Sequence, residues 1–180
     1  MATRWPHASW PTPVERVATF LREAGAEARL EEFRTDASTA ADAARAAGCE
    51  LEQVVKSLVV LCDGAPVVVL VPGDRRLDTT KVARAAGARD VRIATAAEVE
   101  DATGFVPGSV APFPLPDGTR VYVDRTLLAH ELVWVGAGSP SHLAALKPTE
   151  LLRLARAEPI DAVVEPAYHS PADRGDAAHA

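Results

Sequence analysis

The chain has 180 residues, 48% of them hydrophobic and 24% charged, and 25 acids against 19 bases leave a net charge of −6. Such figures fit one globular domain, no apolar run approaches the ~20 residues a membrane helix requires, and Arg4 is not followed by the apolar stretch of a secretory signal. Two cysteines, Cys49 and Cys62, are too few for a disulfide framework or a cysteine-based zinc site and read as reduced, buried thiols of a cytoplasmic protein, while the acidic balance argues against broad, non-specific nucleic-acid binding and leaves room for a local basic patch.

Residues 1–13 hold Trp5, Trp10 and three prolines without periodicity, which predicts an irregular arm whose tryptophans pack on the domain. Val14, Val17, Ala18 and Leu21 share one helical face, and Gly25 suits its C-terminal cap. Ala28–Phe33 reads as a strand. Thr39 with Asp42 resembles a capping box opening a helix that Gly48 ends. Lys56–Cys62 and Val67–Val71 are β-rich runs joined by Asp63-Gly64, a hairpin signal. Asp78 caps a helix to Ala86 that Gly87 stops; Val91–Ala94 is a strand; Thr95 with Glu98 caps a helix that Gly104 ends. Four of the chain's 14 prolines then crowd residues 107–116. Asp117-Gly118 turns into the strand Arg120–Asp124, and Leu132–Gly136 and His142–Leu146 follow as strands. Pro148 fits the first turn of a helix over Thr149–Ala157. After Pro166 the chain is small and polar, which predicts a disordered tail over 167–180 around a folded body of 14–166. Strands in sequential pairs among helices predict a single-domain α+β fold with a mixed, partly barrel-like sheet surrounded by helices.

The familiar catalytic signatures are absent: no GxSxG, HExxH, GxxxxGK[ST] or GxGxxG occurs. His7, His130, His142, His169 and His179 show no metal-ligand spacing, so no metal site is expected. Three segments carry chemistry. Lys56 is one of only three lysines beside 16 arginines, and it stands where a small-residue helix connects into an apolar strand. There it serves either as a snorkelling strand-edge cation or as a fixed ammonium facing a phosphate or a polarised carbonyl. Gly104–Phe113 is either an ordinary proline-rich connection or a rigid loop whose backbone N–H groups, near Gly108, meet an oxyanion or a carboxyl ester. Gly73–Arg92 carries six bases, among them Arg75, Arg76, Lys81 and Arg84, against three acids. It is either a solvated helix face or a phosphate-backbone contact.

In order along the chain, TAADAARAAGC, QVVKSLVV, VVVLVPGDRRLDTTKVARAAG, ATAAEVEDATGFVPGSVAPF, VYVDRTLL and VWVGAGSPSHL resemble the YbaK family of prolyl-tRNA synthetase-associated editing domains and their free-standing relatives. The resemblance spans roughly residues 14–165. It implies a YbaK-like fold and hydrolysis, in trans, of the ester that joins a wrong, small amino acid to a tRNA, tRNA(Pro) foremost. Lys56 corresponds to the family's essential lysine. Gly108, Ser109, Val110, Ala111 and Pro112 correspond to its Gly-x-x-x-Pro loop, with Ser109 where many relatives carry a second glycine. Gly104 opens that loop, and the Gly136-Ala137-Gly138 turn and His142 match a region bordering the family pocket. Ala37, Ala40, Ala41 and the loop Val110–Phe113 are the expected pocket walls, and Arg75, Arg76, Lys81 and Arg84 the expected tRNA contacts.

The implied partners are the aminoacyl-tRNA 3′ end and prolyl-tRNA synthetase; no cofactor, DNA or membrane is expected. A single-stranded 3′ end needs only a small basic strip, which the net charge permits. Two other readings stand beside this one: a non-catalytic tRNA- or synthetase-binding member of the same fold, and a small-molecule binding domain.

Overall fold

Val14, Val17, Ala18 and Leu21 form the buried face of α1 (Thr12–Glu23) in the computed structural model, which describes residues 9–34, 37 and 39–166. Pro13 sits in the first helical turn, where its missing N–H costs nothing. The helix therefore begins two residues ahead of the expected body boundary. Trp10 just before it is buried, its ring edge-on to His142 with centroids 5.7 Å apart. The remainder of the arm through Ala8, Trp5 included, and the tail 167–180 lie outside the described residues.

Three further helices start and stop on local chemistry. In α2 (Ala40–Ala47), α3 (Thr79–Ala86) and α4 (Ala96–Thr103), the side chains of Thr39, Asp78 and Thr95 accept first-turn backbone N–H groups, caps worth about 1 kcal/mol each. Gly48, Gly87 and Gly104 close them in the left-handed conformation. The last helix, α5 (Pro148–Ala155), ends instead on Arg156 at φ 49°.

The strands are β1 (Ala28–Glu32), β2 (Val54–Cys62), β3 (Ala65–Pro72), β4 (Val91–Ile93), β5 (Arg120–Asp124), β6 (Val133–Ser139), β7 (His142–Leu146) and β8 (Glu158–Ile160). They form one curled, half-barrel mixed sheet in the order β1-β7-β6-β2-β3-β5-β8, with β4 paired to β2 off this path. β2 is antiparallel to β3 across the Asp63-Gly64 turn, and β2·β6, β3·β5 and β5·β8 are parallel. The continuous apolar runs of β2 and β3 follow from this, since central strands bury both faces. One face packs Val55, Val59, Leu70 and Val135 under α1; the other packs Val60, Val69 and Val71 with Val82 of α3.

Two expectations need correction. Lys56 does not enter a strand at the sheet edge: β2 begins at Val54, so Lys56 is its third residue, in the middle of the sheet order. β8 is a strand that the sequence pattern does not announce. It is three residues long, contains Pro159 and lies at the sheet edge, the place where a strand proline loses no ladder hydrogen bond.

β2 also divides its second edge. With β3 occupying one side throughout, β6 pairs with residues 54–55 on the other and β4 with residues 60–62. Between them the stretch Lys56–Leu58 has no strand neighbour on that side. The sheet opens there.

Candidate functional site

The opening at Lys56–Leu58 is the floor of a cavity of about 330 Å³. Its walls come from Ala37, Thr39, Ala40 and Ala43 on the α2 side, from Gly108 and Val110 of the proline-rich loop, and from Gly136, Ser139 and Leu143 of the β6–β7 hairpin. Ala37 reaches the wall because the chain between β1 and α2 is tied to the β6–β7 turn: Phe33 N–H donates to Ser141 O and Ala37 N–H to Pro140 O, both at 2.7 Å. Val110 comes close only because residue 136 is glycine. A Cβ there would stand 2.9 Å from the Val110 carbonyl oxygen, and the β-bulge between Gly136 and Ser139 bends β6 away at this point.

Lys56 lines this cavity. Its Nζ donates to the Arg75 carbonyl at 2.5 Å, in the loop between β3 and α3. Partial burial pushes its pKa below the ordinary lysine value, and the nearby Asp74 carboxylate opposes that shift. The polar groups around it have defined duties. Thr39 Oγ1 accepts from Asp42 N–H and donates to its Oδ2 at 2.5 Å. Ser139 Oγ lies 2.6 Å from His142 Nδ1 and accepts from Ser141 N–H at 3.2 Å. His142 is 2% exposed and its Nε2 has no hydrogen-bond partner. Burial therefore drives its pKa below the usual histidine range, with Glu32 pulling the other way. The ring supports the wall through Ser139 rather than lining the cavity.

The Gly108–Pro112 loop divides its labour. Gly108 is exposed at φ 84° with open space where a side chain would go, so the backbone angle alone requires glycine. Ser109 is buried and closes a turn through its N–H to the Val106 carbonyl at 3.0 Å. Val110 faces the cavity, whereas Ala111 is in the core and Pro112 borders a separate groove near the ends of α1 and α5.

Several expected residues stand elsewhere. Gly104 is the α4 cap, its carbonyl accepting from Arg16 at 3.2 Å. Gly138 packs on Pro13 and does not line the cavity. Ala41 is exposed, and Phe113 is buried against Phe20 with centroids 5.3 Å apart. Lys81 does not face solvent for a phosphate: its Nζ bonds Asp161, the Val163 carbonyl and Glu165 at 2.8, 2.8 and 3.2 Å, pinning the chain after β8 onto α3. Arg75 and Arg76 lie in the loop that holds Lys56, with Arg75 3.3 Å from Asp74, and Arg84 is exposed on α3. Ser57, Ser139 and Leu143 were missed. Nothing in their sequence neighbourhood distinguishes them, because they meet only where β2, β6 and β7 converge.

The profile of the aminoacyl-tRNA editing domain matches residues 34–154. An uncharacterized protein of Bacillus subtilis strain 168, YwhH, is 31% identical over 139 residues, 77% of this chain and 88% of that protein. A proline–tRNA ligase of Xanthomonas axonopodis pv. citri is 32% identical over 126 residues, 69% of this chain but only 22% of the ligase. The chain thus spans about a fifth of the length of that synthetase. A crystal structure of a protein proposed as a trans-editing enzyme for prolyl tRNA synthetase superposes with a TM-score of 0.81 at 35% identity, covering 87% of this chain and all of the other. With the YbaK-like half-barrel and the Lys56 cavity in place, the match over most of the folded body shows that the chain belongs to the aminoacyl-tRNA editing domain family.

Proposed function

We propose that this protein is an editing hydrolase that removes a small, wrongly attached amino acid from tRNA, tRNA(Pro) foremost, acting in trans. The observation that carries the reading is a small cavity walled by alanines with a lysine ammonium on its floor. An aminoacyl ester is already activated, so the demands on the protein are modest. It must hold the ester, orient a water and stabilise charge on the carbonyl oxygen. The water oxygen bonds to the carbonyl carbon and the bond to the ribose oxygen breaks; one water proton passes to that oxygen and the other is lost to solvent as the amino acid leaves as its carboxylate.

Lys56 is the group suited to offset the developing charge, held in place by the Arg75 carbonyl. The neighbouring hydroxyl of the terminal ribose can assist the water without a protein base. The walls set size: each extra methylene costs only about 1–3 kcal/mol, so exclusion of larger side chains is graded. Prolyl-tRNA synthetase is the partner this reading implies, since a discarded ester must not be captured again before it is hydrolysed.

The test is single-turnover deacylation across a panel of mischarged tRNAs. Release of a small amino acid, lost in Lys56→Ala, supports the reading. Binding of tRNA without turnover of any ester leaves a non-catalytic member of the fold, and absence of tRNA binding leaves a small-molecule domain.

A further inference from the structure

Lys56 is aimed by a carbonyl, so whatever fixes that carbonyl aims the ammonium. The Arg75 C=O that accepts from Lys56 Nζ belongs to the peptide unit joining Arg75 to Arg76. At its start this loop is anchored to the sheet, with Gly73 N–H on Val54 O at 2.7 Å and Arg75 N–H on Pro72 O at 3.1 Å. Its later residues are tied to a segment from the far end of the chain. Arg76 O accepts from Val164 N–H at 2.9 Å, and Asp78 N–H donates to Ala162 O at 2.8 Å. Between them Leu77 pairs with Val163 in an antiparallel bridge. Residues 161–165 thus form a strap along the loop, beyond the span 34–154 of the family match.

Two charged side chains hold the strap. Asp124, buried at the end of β5, accepts from Ala162 N–H on Oδ2 at 2.8 Å and from Thr126 N–H on Oδ1 at 3.0 Å. Lys81 of α3 reaches Asp161 Oδ1, Val163 O and Glu165 Oε1 at 2.8, 2.8 and 3.2 Å. An ammonium has three donors, and each finds an acceptor on the strap. A compact point charge suits three partners arranged around it better than a planar fork does. The Asp161 and Glu165 side chains are exposed, and ion pairs of that kind contribute little stability. Three bonds converging on one ammonium therefore act mainly by fixing where the strap runs.

Resting on the editing activity proposed above, we infer that Lys81 is a positioning residue for that reaction: through the 161–165 strap it holds the Arg75 carbonyl, and with it the Lys56 ammonium, at the cavity floor. Lys81 touches no substrate. Its influence is over geometry, and a misplacement of about 1 Å caused far from the chemistry can cost up to ~10²-fold in rate.

The experiment measures single-turnover deacylation of the best mischarged tRNA by wild type, Lys81→Met and Lys81→Arg, with circular dichroism as the folding control. Lys81→Met should lower the rate at saturating tRNA roughly 10-fold and leave the half-saturating tRNA concentration unchanged. Lys81→Arg should stay near wild type, because its two exposed carboxylate partners can follow a longer cation. In a Lys56→Ala background, Lys81→Met should cost nothing further, since residues that act as a unit do not add. A loss of equal size in that background, or no loss in the otherwise wild-type chain, would overturn the inference.

A second readout needs no turnover. Brief labelling with acetic anhydride, mapped by mass spectrometry, compares Lys56 with exposed Lys147. Release from the Arg75 carbonyl should raise the Lys56 to Lys147 ratio several-fold in Lys81→Met and not in Lys81→Arg; an unchanged ratio overturns the hold. If Lys81→Met does not fold, Asp161→Asn combined with Glu165→Gln takes its place, altering exposed side chains alone, and is read by the same outcomes. If wild type turns over no aminoacyl-tRNA, the editing reading fails, while the labelling ratio still decides whether the strap holds Lys56.

Discussion

The Lys56 ammonium donates to the Arg75 carbonyl at 2.5 Å, which ties the cation on the cavity floor to the loop that carries half-buried Arg75 and exposed Arg76. On the proposed editing reading, one short segment would thereby couple a positively charged approach to the cavity. If the ammonium offsets charge on the ester oxygen, Lys56→Ala should lose about 10²–10³-fold in single-turnover rate. Lys56→Arg should fail as well, because a planar fork does not reproduce a point charge held at one carbonyl. A folded Lys56→Ala protein near the wild-type rate would overturn the mechanism.

The basic residues separate into two kinds, and the separation is measurable. Replacing Arg75, Arg76 and Arg84 together with alanine should weaken tRNA binding and flatten its dependence on salt, while the rate at saturating tRNA changes little. Lys81→Ala should leave the salt slope alone and lower Tm, since it releases Asp161, Val163 and Glu165 from α3. Filter binding over a salt series and thermal melts decide both.

Gly136→Ala sets a methyl 2.9 Å from the Val110 carbonyl oxygen, with backbone on both sides of the contact. Overpacking of this kind costs about 1–3 kcal/mol. Urea unfolding should show that loss, and deacylation should fall further than stability does because Val110 is a cavity wall. Unchanged activity would mean that the loop position is irrelevant to the ester.

His142 gives stability a dependence on pH. Burial holds its folded pKa below the ordinary histidine value of about 6.5, so between those values the unfolded chain binds more protons than the folded one. Stability therefore falls as pH drops below about 6.5 and levels off below the folded pKa. His142→Gln should flatten that segment of the curve, measured as urea midpoints across the range. An unchanged slope would assign it to other groups.

Cavity size should appear in the rates. Seryl, alanyl and cysteinyl esters should be released faster than valyl, and valyl faster than phenylalanyl, in a graded series rather than a cut-off. Faster release of the aromatic ester would show that the alanine wall of Ala37, Ala40 and Ala43 does not confine the side chain.

Much of the architecture was legible because it depends on neighbours in sequence. The caps Thr39, Asp78 and Thr95, the stops Gly48, Gly87 and Gly104, and the Asp63-Gly64 hairpin act within a few residues of themselves. The period of α1 and the apolar runs of β2 and β3 likewise announce which faces are buried. Lys56 stood out by scarcity among arginines and by its match to a family lysine. β8 did not, since three residues around a proline carry no period to read.

What the sequence determined by itself is every strand and helix named above except β8, their hydrophobic faces and the family, because propensity, capping and periodicity are local. The tertiary structure decided which side chains share a space. Lys81 and Lys56 look alike in sequence, yet one is neutralised by Asp161 and Glu165 from 80 and 84 residues away. The other is left in a gap where β6 and β4 take turns along a single strand edge. Gly104 and Gly108 lie four apart, yet one caps a helix and the other rims a cavity. Partners so distant along the chain are chosen by sheet order and register, which fix contacts between residues that no local pattern relates.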